Sequence, residues 1–125
     1  MKVALPAREV IEGKARFAGR TLAEWVPEVT ERVVGACAPL RVVLFGSVAR
    51  GDDGPDSDID LLVVVGDDAD LHATARAAVR AVADLAPEVE PVVISRSAAE
   101  VNRHVPGTVV RPAVREGRIV YERGR

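Results

Sequence analysis

Two short apolar runs constrain this chain more than any other feature. Arg41–Phe45 (RVVLF) ends at Gly46, and Ile59–Val65 (IDLLVVV) follows a Gly/Asp/Pro-rich stretch. Runs this short and this rich in Val and Leu read as strands buried on both faces, and they fall far below the ~20 apolar residues of a membrane span. Helical patterns flank them. From Thr21 to Ala38, Leu22, Trp25, Val26, Val29, Val33 and Val34 form one stripe, Thr21 and Glu24 have capping-box spacing, and Pro39 closes the helix. Pro27 lies inside that stripe and predicts a kink or a late start. A second helix is predicted over Asp67–Ala86, with Leu71, Ala75, Ala78, Val82 and Leu85 on one face. A third strand is predicted over Val89–Ile94, with Pro91 placing it at a sheet edge. Ser95 or Ser97 then caps a short helix to about His104, Pro106–Glu116 holds another turn or two, and Arg118–Glu122 (RIVYE) is a terminal strand. Strands alternate with helices, so the expected class is α/β (α+β): one domain, residues 21–125, with a small mixed sheet flanked by helices. Residues 1–20 form a basic arm (Arg8, Lys14, Arg16, Arg20) of uncalled fold, read as solvated or partner-binding.

Composition removes several function classes. One Trp, one Tyr and two Phe cannot fill the interior, so Val, Ala and Leu must build it. The single Cys37 excludes an internal disulfide framework and a multi-cysteine metal site, and its default is a buried thiol. The N-terminus MKVALPAREVIEG, broken by Pro6 and charges, is unlike a signal peptide, so a reducing cytoplasm is expected. A net charge of −2 and a pI near 5.7 argue against broad nucleic-acid binding. His72 and His104 lack ligand partners at metal spacing and are expected at the surface, and Trp25 belongs to the apolar stripe.

The acids are less evenly spread. Eight Asp lie between Asp52 and Asp70 with no Lys among them, and their spacing carries chemistry. Gly46 ends a buried strand, where a glycine permits a positive φ or close approach to a ligand. Ser47 adds a hydroxyl beside backbone N–H groups, which suits a phosphate oxygen. Asp58 and Asp60 are two apart at a strand start, so they share a face ~6.6 Å apart along the axis while Ile59 turns inward. Two such carboxylates converge on one hard cation or a pair, Mg²⁺ or Mn²⁺ rather than Zn²⁺. A calcium hand is excluded because Leu61 and Asp67 stand where Gly and Glu are required. A Walker loop is excluded because no Gly-Lys-Ser/Thr follows Gly46.

Gly46-Ser47-Val48-Ala49-Arg50-Gly51-Asp52, followed by Ser57-Asp58-Ile59-Asp60-Leu61-Leu62-Val63, resembles the signature of the DNA polymerase β-like nucleotidyltransferase superfamily. It looks in particular like the minimal nucleotidyltransferases (MNT proteins), many of which are antitoxins beside a HEPN-domain toxin. Residues 48–57 supply the ten positions between Gly-Ser and Asp-x-Asp, and Arg115–Arg123 is similar to the close of that domain. The resemblance implies a third carboxylate on a later strand. Glu90 is the candidate, with Glu88 of the same parity as fallback and a plain edge-strand acid as the alternative. A Glu departs from the family's usual Asp. The resemblance further implies that Asp58, Asp60 and Glu90 hold the metal and do catalysis, with Gly46 and Ser47 holding phosphates. Arg50 either offsets phosphate charge or pairs with the nearby Asp residues. The function implied is AMP transfer from ATP to a side-chain hydroxyl of a HEPN toxin, in a hetero-oligomer. The alternatives are masking of the toxin without catalysis, and transfer to an aminoglycoside-type alcohol, for which the chain lacks the usual acceptor-binding helical domain.

Overall fold

The computed structural model describes residues 4–124, so Met1–Val3 of the N-terminal arm and Arg125 lie outside the described residues. Four strands make the central sheet: β4 (Arg41–Phe45), β5 (Ile59–Val65), β6 (Val89–Ser95) and β7 (Arg118–Glu122), in the order β6-β5-β4-β7. β4 runs antiparallel to both β5 and β7, and β5 runs parallel to β6, so the sheet is mixed as expected. Pro91 sits on the edge strand β6, where a missing N–H is tolerated.

Side-chain parity divides the core in two. Val42, Leu44, Ile59, Leu61 and Val63 face α1 (Leu22–Cys37) and α3 (Leu71–Val82). Val43, Phe45, Leu62 and Val64 face the opposite side, against Ala99 of α4 (Arg96–Asn102) and Ala113 of α5 (Val110–Glu116). The central sheet is thus covered on both faces, which is why β4 and β5 read as unbroken apolar runs. Among the described residues no helix is long and apolar enough to cross a membrane.

α1 begins with the capping box: Glu24 N–H donates to Thr21 Oγ1 (3.2 Å) and Thr21 N–H to Glu24 Oε1 (3.0 Å). Pro27 is accommodated inside the helix. α3 starts four residues later than predicted. Asp70 caps it, accepting from Ala73 N–H at 3.0 Å, because Asp67 is engaged elsewhere: its carboxylate accepts from Ser97 N–H at 2.9 Å and from the Ser97 hydroxyl. Those bonds also hold the Asp67 carboxyl below its ordinary pKa. Leu71, assigned to the buried stripe, is instead 42% exposed at the helix start. Ser95 rather than Ser97 caps α4, which ends at Asn102. Cys37 is half-buried, its Sγ 3.7 Å from Thr74 O, and burial raises its pKa. His72 and His104 are exposed.

The basic arm is a folded element. β1 (Arg8–Ile11), β2 (Lys14–Phe17) and β3 (Arg20–Thr21) form a three-stranded antiparallel sheet. Its two-residue loops, Glu12-Gly13 and Ala18-Gly19, have positive φ at both positions (52 and 79, 52 and 76), the turn geometry that matches strand twist. Arg8, Lys14 and Arg20 pair with Asp56, Asp53 and Glu28 while staying partly exposed to solvent.

Candidate active site

The sheet register assembles the acids. Asp58 immediately precedes β5, Ile59 is fully buried beneath it, and Asp60 is the second residue of the strand. Phe45 pairs with Asp60 across the antiparallel ladder and Glu90 pairs with Asp60 across the parallel one. Ile59 N–H donates to Glu88 O at 2.9 Å and locks that register at the strand start. As a result Asp58, Asp60 and Glu90 each present a carboxylate oxygen, all within 4.8 Å of one another. Glu88 has the same strand parity but one pair further back, and its carboxylate is not in this group.

The cluster carries uncompensated negative charge. Among the described residues no Lys or Arg pairs with any of its three members. Burial, then the Asp58 and Glu90 carboxylates, push the Asp60 carboxyl up to about 6. Three oxygen donors with no neutralising side chain are the donor set a hard divalent cation takes, so the residues present fit Mg²⁺ or Mn²⁺.

Beside them the chain turns sharply. Gly46 has φ 78 and ψ −159, a region essentially closed to other residues, and it precedes the short α2 (Ser47–Arg50), a helical turn where the sequence reads as loop. A Cβ on Gly46 would lie 2.3 Å from Asp60 Oδ2, so the missing side chain is what lets the carboxylate close on the turn. Ser47 opens α2, where first-turn N–H groups have no intrahelical partner.

Arg50, on the last position of α2, donates from Nε to Asp52 Oδ2 (3.1 Å) and from Nη1 to Glu116 Oε1 (2.9 Å). Of the two sequence alternatives the structure has the ion pair with a neighbouring Asp. Glu116 carries no sequence motif that marks it for the site. Its Oε1 also accepts from Gly46 N–H at 3.3 Å, so one carboxylate from the end of α5 bridges the turn and the guanidinium. Nothing local in Arg115-Glu116-Gly117 signals that contact. An open cleft of about 750 Å³, lined in part by Arg111 and Arg115, shares Glu116 with this cluster.

A mixed sheet with a Gly-Ser turn after one strand, and carboxylates from the next two strands meeting beside it, defines the class of nucleotidyltransferase-like α/β proteins. The sequence profile described as "Nucleotidyltransferase domain" matches residues 23–119, and the chain belongs to that family. A crystal structure from Sulfolobus solfataricus, described as that of a candidate nucleotidyltransferase, has the same fold, with TM-score 0.56 and 22% identity over 82% of this chain and 81% of that one. No curated protein matches the chain in sequence.

Proposed function

We propose that this chain transfers AMP from ATP to a side-chain hydroxyl of a partner protein, a HEPN-domain toxin, and so neutralises it. The observation that carries the reading is the convergence of Asp58, Asp60 and Glu90 within 4.8 Å. The Gly46-Ser47 turn lies against them. The protein partner is drawn from the likeness to MNT antitoxins, and the exposure of Glu90 suits an acceptor presented by another chain.

In this reading Asp58, Asp60 and Glu90 hold Mg²⁺ or Mn²⁺, which when bound supplies charge neutralisation and Lewis acidity at the triphosphate. The Ser47 hydroxyl and the first N–H groups of α2 donate to the β- and γ-phosphate oxygens. The acceptor hydroxyl oxygen bonds to the α-phosphorus, the bond from that phosphorus to the bridging oxygen breaks, and pyrophosphate leaves. Glu90 takes the hydroxyl proton, being the exposed member of the three and within reach of an incoming group. Arg50 turns from Glu116 toward the phosphates as charge develops there.

Glu116 favours a second reading. Its carboxylate already occupies Gly46 N–H and Arg50, groups that a triphosphate would use, and a chain in that state neutralises its toxin by masking. The two are separated by incubating a HEPN-domain partner with ATP, Mg²⁺ and either the native chain or Asp58→Asn/Asp60→Asn, then measuring intact mass. A gain of AMP units that the double variant abolishes, together with loss of neutralisation, is expected. Neutralisation that survives the double variant without mass gain overturns the catalytic reading in favour of masking.

A further inference from the structure

Asp53 is the one charged residue buried among the described residues, at 5% exposure, and it lies in the loop that joins α2 to Asp58. A carboxylate there is costly unless a partner compensates it. The partner is Lys14, from the N-terminal sheet: its Nζ lies 3.2 Å from Asp53 Oδ1 and donates to Gly51 O at 3.0 Å. Gly51 is the residue that ends α2. A single ammonium therefore ties the end of the Ser47 helix to the middle of the loop leading to the acidic cluster. Inside the loop, Gly54 N–H donates to Ser57 Oγ at 2.8 Å, which folds the remaining span toward Asp58.

The sheet that supplies Lys14 is itself anchored. Ala15, the next residue, is fully buried. Trp25 Nε1 donates to Phe17 O at 3.0 Å, and the Arg20 guanidinium lies 3.4 Å from the Trp25 ring centroid. The sheet that carries the ammonium is thus anchored to α1 and is not a free arm. Residues 8–21 precede the family match at 23–119, so Lys14 lies outside the matched span and both of its acceptors lie inside it.

We propose that Lys14 is a positioning residue for the acidic site, fixing the spacing between the Gly46-Ser47 turn and Asp58 through Gly51 and Asp53. Without it, a loop containing Gly51 and Gly54 has many conformations to lose each time the carboxylates gather around a cation. The inference rests on reading Asp58, Asp60 and Glu90 as metal ligands.

The test is Mn²⁺ titration of the full chain by calorimetry, with amide exchange of residues 51–58 followed in parallel. Lys14→Met is expected to weaken Mn²⁺ binding by about 10- to 100-fold, the range for loss of a group supporting a ligand, and to speed exchange across 51–58. Lys14→Arg, which keeps the charge and donors for both acceptors, recovers most of the affinity. Should Lys14→Met not fold, Asp53→Asn removes the buried charge and is expected to shift both readouts the same way. Native Mn²⁺ affinity in whichever of these two folds overturns the proposal. A native chain that binds no more Mn²⁺ than Asp58→Asn/Asp60→Asn overturns the reading of the site instead, and unchanged exchange in Lys14→Met then overturns the strut as well.

Discussion

The two halves of the candidate site are electrostatic opposites. On one side Asp58, Asp60 and Glu90 crowd together with no cation paired to them among the described residues, and burial, then the two neighbouring carboxylates, push the Asp60 carboxyl up to about 6. On the other, Arg50 is paired twice over, with Asp52 and Glu116, and Gly46 N–H is paired with Glu116 as well. The first half is strained by its own charge and gains by binding something positive. The second is already satisfied, so a phosphate there must displace an internal carboxylate before it gains anything.

The sharpest way to break the contrast is Gly46→Ala, since Gly46 is where the halves touch. The new Cβ would meet Asp60 Oδ2 at 2.3 Å in a backbone region that only glycine occupies readily. Urea unfolding is expected to show a loss of about 1–3 kcal/mol, and an unchanged midpoint would mean that the turn relaxes to admit the methyl group.

Titration probes the strained half. Asp60 binds its proton more tightly folded than unfolded, so the folded state holds more protons between about pH 4 and pH 6. Its contribution to stability is therefore full below that window and is lost as pH rises through about 6. Solvent screening of a half-buried carboxyl reduces the effect below that of Gly46→Ala. The thermal midpoint of the metal-free chain is expected to fall from pH 4.5 to 7 more steeply than that of Asp60→Asn, and saturating Mn²⁺ should reverse the trend. Parallel profiles for the two proteins would show the cluster to be relaxed.

Glu116→Gln probes the satisfied half and should move least. The Arg50–Glu116 pair is partly exposed, at 44% and 28%, so its removal is expected to cost no more than about 1 kcal/mol in chemical unfolding. A larger loss would make Glu116 a structural keystone of the turn.

Much of this architecture is readable from local pattern, and what is not has a common physical origin. β4 and β5 stand out because short Val- and Leu-rich runs have no comfortable place except a sheet, and α1 declares its start through Thr21 and Glu24, three residues apart. Gly-Ser and Asp-x-Asp are likewise local. Choosing Glu90 over Glu88 needs the β5–β6 register, which parity leaves open and Ile59 N–H decides. The late start of α3 turns on Asp67 meeting Ser97, and Lys14–Asp53 and Gly46–Glu116 join residues still more distant along the chain. The N-terminal sheet is hidden for another reason. Its turns use Glu12-Gly13 and Ala18-Gly19, which lack the Asn or Asp that ordinarily marks such hairpins.

The placement of β7 governs how the molecule comes into being. Val43, near the centre of the sheet, takes Ile119 as one neighbour, so one flank of β4 stays open until almost all of the described chain has been synthesised. Long-range pairing of this kind slows folding, and an unpaired strand edge invites association with other chains in the interval. β5 and β6, which gather the acids, can pair earlier. A nascent chain can therefore gather its acidic corner before its sheet is complete, and any ligand that binds the corner at that stage would favour folding before it served anything else.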